Sequence, residues 1–220
     1  MRFKVSIAYL LCLPFLAGSI ILLAALHADA RTVRLVGFGD SLMAGYQLQQ
    51  KDTFPSQLQA ALKAKGEDVE ITDAGVSGDT TSDGLARLDW SIPPGTDGVI
   101  LELGGNDALR GISPEKTREN LSEMIERLRT RKIEVLLVGI LAPPNMGQAY
   151  AGKFDPIFPE LARKYDVVYY PFFLDGVATH ADLQLSDGIH PNEKGAAIMA
   201  KRFMPYAERL IERIKAVAEN

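Results

Sequence analysis

The sequence predicts a three-layer α/β/α sandwich on a mostly parallel sheet of about five strands. Short β-rich runs alternate with segments of helical periodicity from Arg31 onward, the order expected of an α/β domain. Most of these runs are continuously apolar and not alternating, as strands covered on both faces must be. Polar, glycine-rich segments directly follow the strands, and open parallel sheets bind ligands outside the carboxyl ends of their strands.

The 220 residues, 47% of them hydrophobic, suffice for one domain with a sizeable core, at about 100 to 200 residues per domain. Residues 1–30 read differently. Arg2 and Lys4 precede an apolar stretch, Val5 to Leu26, that ends in Ala28-Asp29-Ala30. A basic start, an apolar middle and an A-x-A ending describe a secretory signal peptide cleaved after Ala30. The stretch approaches the roughly 20 residues that span a bilayer, so an uncleaved membrane anchor is the competing reading, although Pro14, Gly18 and Ser19 interrupt it. The domain is expected over 31–220. The single cysteine, Cys12, falls in the leader, leaving no thiol for a disulfide in the rest. Without the leader, 22 basic residues face 27 acidic ones. That balance disfavours a nucleic-acid partner, which needs a basic surface. A cleaved leader would also leave no stable membrane partner.

Five strands are expected: Val33 to Phe38, Val69 to Asp73, Gly98 to Leu103, Ile133 to Leu141 and Val167 to Tyr170. Phe54, Leu58, Ala61 and Leu62 form a helical stripe ended by Gly66. Leu121, Met124, Ile125 and Leu128 form another, with Ser113 as cap and Pro114 as first helical residue. A third helix is expected over Phe154 to Lys164, and a last one after Pro191, kinked at Pro205.

Ser41, in "GFGDSLMAGY", ends the first strand. "AGVSGDTT" (Ala74 to Thr81) ends the second and "GGNDALRG" (Gly104 to Gly111) the third. "SDGIHP" (Ser186 to Pro191) lies beyond the last strand, with an Asp and a His three residues apart. A dinucleotide G-x-G-x-x-G fails because Leu42 holds its third glycine position, and no phosphate-binding G-x-x-x-x-G-K-[ST] occurs. The nucleophile elbow G-x-S-x-G fails at Met43. Taken alone, "DS" before an apolar residue reads as a helix cap.

In combination, "GDSL" at 39–42, Gly78, "GGND" at 104–107 and "DGIH" at 187–190 appear in the order of the four blocks of the SGNH, or GDSL, hydrolase family. The chain resembles the family's secreted bacterial branch of arylesterases, acyl-CoA thioesterases and lysophospholipases over nearly its whole mature length. "LELGGNDALRG", "DTTSDGLARLDW" and "LAPPNMGQAY" resemble the rhizobial-type arylesterases in particular.

The resemblance implies the flavodoxin-like fold of that family and a serine esterase. Ser41 would attack the acyl carbonyl, His190 would take its proton and pass it to the leaving group, and Asp187 would orient the imidazole. The oxyanion would meet the backbone amides of Ser41 and Gly78 and the side-chain amide of Asn106. These types suit acyl transfer, which needs a nucleophile, a base, an orienting group and preorganised donors. Glycine permits close backbone approach, and an asparagine amide donates without titrating. The chemistry calls for no metal and no cofactor.

His180 lacks the Asp-x-x-His partner of His190 and reads as a loop residue. Asp40 and Asp107 are expected to orient backbone or cap helices. Glu102, inside an apolar strand, must find a partner or reach the sheet edge. The segments Ala108 to Ile112 and Leu141 to Tyr150 are rich in Leu, Ala, Pro and Met, and Leu109, Pro143 and Pro144 are candidate walls for an acyl chain or aryl ring. Short acyl or aryl esters are therefore the expected substrates, with thioesters and lysophospholipids as companions. An envelope carbohydrate O-deacetylase and a non-catalytic ligand-binding domain are the alternatives. The sole tryptophan, Trp90, offers little of the aromatic platform a sugar wants. Oligomeric state is not readable from the sequence.

Overall fold

A computed structural model of the protein describes residues 31–218; the expected leader, with Cys12, lies outside them. Five strands form one sheet: β1 (Val33–Gly39), β2 (Val69–Gly75), β3 (Gly98–Leu101), β4 (Glu134–Val138) and β5 (Val168–Tyr170). Their order is β2-β1-β3-β4-β5, and every pairing is parallel. The chain steps from β1 outward to β2 and then crosses back to β3. The strand order therefore reverses beside β1, the place where such sheets open a crevice at their carboxyl edge.

Among the described residues, eight α-helices accompany the strands: α1 (Ser41–Ala44), α2 (Phe54–Ala64), α3 (Thr81–Ser91), α4 (Gly105–Leu109), α5 (Pro114–Thr130), α6 (Gln148–Phe154), α7 (Ile157–Tyr165) and α8 (Glu193–Ala218). Helices α2 and α8 pack together, α2 against β2 and α8 against β3, β4 and β5. Helix α5 packs between α3 and α7, with α5 and α7 against β4. The result is the three-layer α/β/α sandwich. All four residues of β3 are buried, as are the last four of β4, which explains why these runs are apolar without alternation.

Local sequence explains the helices. Phe54, Leu58 and Leu62 recur every four residues and are buried along α2. The Ser113 side chain accepts the Lys116 N–H, Pro114 opens α5, and Leu121, Met124, Ile125 and Leu128 form its buried stripe. Truncating one such leucine to alanine costs about 2 to 5 kcal/mol.

The helix expected over Phe154 to Lys164 forms as α7 from Ile157, and Phe154 instead ends the preceding helix α6. Asp155 and Pro156 separate the two: both keep helical φ and ψ, but the proline has no N–H with which to continue the ladder, and the Asp155 carboxylate accepts the Ala142 N–H at 2.8 Å. Helix α8 continues across Pro205, which lies on the exposed face, where water can satisfy the carbonyl that proline leaves unbonded. Helix α3 was absent from the sequence expectation, although a Thr80–Asp83 capping box marks its start. Among the described residues, no helix is long and apolar enough to cross a membrane.

Candidate active site

Three loops at the carboxyl edge and one turn before α8 converge on Ser41. The first is the β1–α1 junction. Asp40, not Ser41, is the N-cap, its Oδ1 accepting the Leu42 N–H at 3.0 Å, so the Ser41 hydroxyl is released from capping. It stands 2.8 Å from Nε2 of His190, a residue 149 positions away. The other ring nitrogen, Nδ1, lies 2.7 Å from Asp187 Oδ2. With the proton on Nδ1, Nε2 is left to accept from the serine. The arrangement can draw a proton from Ser41 and hold the resulting imidazolium beside a carboxylate.

The turn that carries the pair is self-contained. Asp187 Oδ1 accepts the N–H groups of Ile189 and His190 at 2.9 and 3.0 Å, and Gly188 takes a positive φ of 67° between them. Leu185 N–H donates to the His190 carbonyl at 2.8 Å. Asn192 then ties the turn to α8, accepting N–H groups of Lys194 and Gly195 and donating to Asp182 and Gln184 carbonyls. Burial pushes the Asp187 carboxyl up, but the His190 and Ile189 N–H groups and the imidazole outweigh it and hold it at about 2.

Gly78 and Asn106 arrive from the β2–α3 and β3–α4 junctions. Gly78 has a φ of 88°, a conformation that favours glycine, and Arg110 donates to its carbonyl at 2.6 Å. Among the described residues, the backbone N–H groups of Ser41 and Gly78 make no hydrogen bond. Asn106 differs: its Nδ2 donates to Asp40 Oδ2 and to the Asp79 carbonyl, both at 3.0 Å. Of the three expected oxyanion donors, two are unengaged and the third is shared with the protein.

Behind these groups lies a buried polar frame. Arg87, 7% exposed, donates to the Gly39 and Ala74 carbonyls and the Asp79 carboxylate, and stacks over the Phe38 ring. Asp107, fully buried, accepts the Thr81 N–H and the hydroxyls of Thr81 and Thr117. It thus orients the start of α3, as expected. Glu102 is fully buried as well and finds its partner in Asp40, whose N–H donates to Oε2 at 3.1 Å.

Leu109 lies on α4 and is 52% exposed. Pro143 and Pro144 open a short turn after β4. The two expected wall segments touch, because the Tyr150 hydroxyl donates to the Ile112 carbonyl at 2.7 Å. His180 stays on an exposed loop with Nδ1 3.1 Å from the Ala178 carbonyl. Sequence reasoning missed Tyr46, whose ring centroid lies 4.6 Å from that of His190, and Arg87. Neither a lone tyrosine nor a lone arginine carries a motif signal.

A parallel α/β sandwich with a serine, a histidine and an acid in hydrogen-bond sequence at its carboxyl edge has the makings of an acyl hydrolase. Residues 38–198 match the GDSL-like Lipase/Acylhydrolase family, and the chain belongs to that family of ester-bond hydrolases. It is 39% identical over 185 residues to an arylesterase of Vibrio mimicus, covering 83% of this chain and 92% of the relative. It is 36% identical over 198 residues to thioesterase 1/protease 1/lysophospholipase L1 of Escherichia coli (strain K12), covering 88% and 92%. The crystal structure of AlinE4, an SGNH-hydrolase family esterase, superposes with a TM-score of 0.69 at 43% identity, over 81% of this chain and 96% of that one.

Proposed function

We propose that this hydrolase is a serine esterase for short acyl or aryl esters, with Ser41 as nucleophile, His190 as general base and acid, and Asp187 as the group that orients and charge-compensates the imidazole. The observation that carries the reading is the continuous chain from Ser41 Oγ to His190 Nε2 at 2.8 Å and from Nδ1 to Asp187 at 2.7 Å. Attack by Ser41 on the acyl carbonyl passes its proton to His190. The oxyanion is met by the Ser41 and Gly78 N–H groups and by Asn106, which turns one amide hydrogen toward it. His190 then gives the proton to the leaving alcohol, and water repeats the sequence on the acyl-enzyme.

Leu109, Pro143 and Pro144 wall the acyl or aryl group. Thioesters and lysophospholipids are companion substrates, a reading supported by the 36% identity to thioesterase 1/protease 1/lysophospholipase L1. Residues 1–30 act as an export leader cut after Ala30, placing the enzyme in the periplasm or outside the cell; their basic start, apolar middle and Ala28-Asp29-Ala30 ending support this. Labelling with a fluorophosphonate and locating the adduct tests the nucleophile. A panel of p-nitrophenyl esters, palmitoyl-CoA, lysophosphatidylcholine and acetylated xylan ranks the substrates. An adduct elsewhere than Ser41 refutes the mechanism, and intact mass of the exported protein decides the leader.

A further inference from the structure

Asp40 and Glu102 form a pair of buried carboxyls directly behind the turn that carries Ser41. Glu102 is fully buried and Asp40 is 2% exposed. Glu102 Oε2 accepts the Asp40 N–H at 3.1 Å, which sets the two carboxyl-bearing residues side by side. Glu102 Oε1 is buried with no partner among the described residues. Gly39 closes over the pair, since a Cβ there would collide with Glu102 Oε2.

Two neighbouring carboxylates buried away from water do not readily both stay ionised, because each opposes the other's charge and neither is hydrated. Their partners decide which one holds the proton. Asp40 receives the Leu42 N–H on Oδ1 and the Asn106 amide on Oδ2, each at 3.0 Å. Glu102 receives one N–H on one oxygen and nothing on the other. The negative charge settles where donors surround it. Other groups facing Asp40 are His190 from the turn before α8 and Asp79 from the loop after β2; Arg87 of α3 reaches the neighbouring Gly39 carbonyl and the Asp79 carboxylate. Burial, with the Asp40 charge adding to it, holds Glu102 well above the usual carboxylate range, and burial raises Asp40 to about 6.

We propose that Glu102 is a positioning residue that keeps a proton at neutral pH and donates it to Asp40, so that one shared proton and one charge anchor the Asn106 amide. Its kinetic consequence rests on Asn106 serving as an oxyanion donor; its protonation does not. Infrared spectroscopy of the full-length enzyme at pH 8 should show the C=O stretch of a protonated carboxylic acid. Glu102→Gln should remove that absorption. Glu102→Leu, which cannot donate, should lower kcat on p-nitrophenyl acetate about tenfold at unchanged KM, the effect of a loosened anchor, and Glu102→Gln should restore it, because its amide donates without titrating. No protonated-acid absorption in the wild type at pH 8 overturns the proposal without need of any variant. Survival of the absorption in Glu102→Gln overturns it equally, as does equal loss of kcat in both variants. If Ser41→Ala retains hydrolysis, the esterase mechanism fails while the infrared result still stands.

Discussion

Asn106 is tied to Asp40 by a 3.0 Å hydrogen bond from its side-chain amide, and the same nitrogen reaches the Asp79 carbonyl at the same distance. One side chain therefore joins the loops that follow β1, β2 and β3. Removing one oxyanion donor typically costs about 100 to 1,000 fold in turnover. Asn106→Ala should show that loss in kcat with an unshifted pH profile. Because two hydrogen bonds go with it, at about 1 kcal/mol each, Tm should also fall by roughly 4 to 8 °C. A variant that loses rate with no change in Tm would mean that the amide is not the clamp described.

Ser41→Ala tests the nucleophile. Asp40 provides the cap of α1, so the substitution should leave Tm within about 1 °C while ester hydrolysis drops at least several hundredfold. Retention of a tenth of the wild-type turnover would refute the assignment of Ser41.

Asp187, held at about 2 by its three partners, stays ionised throughout the pH range of ordinary assays. A fall of activity toward mildly acid pH therefore does not report protonation of Asp187. Its folded value is depressed, so its stabilising contribution is present above the ordinary carboxylate range and vanishes as pH drops toward about 2. Asp187→Asn should lower kcat about 1,000-fold or more by fixing the wrong imidazole tautomer. Tm measured from pH 2 to 7 should converge with that of the wild type at the acid end, and a constant offset would contradict the assignment. His180→Ala should keep near-wild-type rates; if it does not, the base is misassigned.

Glu102 titrates higher in the folded protein than in the unfolded chain. Stability from this group is complete below its ordinary value and declines as pH rises, by about 1.4 kcal/mol per pH unit while the fold retains the proton. Asp40 adds a decline over the narrower interval from 3.8 to about 6. Glu102→Gln lacks the Glu102 slope, so its Tm relative to wild type should climb steadily between pH 5 and 8. A flat difference across that range would show that Glu102 is ionised in the fold.

Much of this was legible in the sequence because it is local. The continuous apolar runs at Val99 to Leu101 and Val135 to Val138 announce strands buried on both faces, and the four short blocks announce which loops meet. What the sequence conceals is pairing at a distance. Glu102 was readable as a charge in need of a partner, but Asp40 lies 62 residues away and no periodicity joins them. Arg87 carried no such signal and is in fact a buried crosslink among the ends of β1 and β2 and the loop after β2. The helix expected from Phe154 begins only at Ile157, after Pro156, which has no N–H to continue a ladder from α6.

The turn from Gln184 to Pro191 has a further consequence for how the enzyme fails. Beyond the His190 contacts with Ser41 and Tyr46, the turn is held by a bridge between its own ends and by the Asn192 hydrogen bonds at the start of α8, while Asp187 and Gly188 face solvent. Segments with few buried apolar contacts open well below the free energy of global unfolding. His190 and Asp187 thus travel together as a removable cartridge, whereas Ser41 opens α1 directly after β1. In a urea titration, hydrolysis should vanish before far-UV circular dichroism changes, and dilution should restore it at once, since seating a short turn needs no refolding of the core.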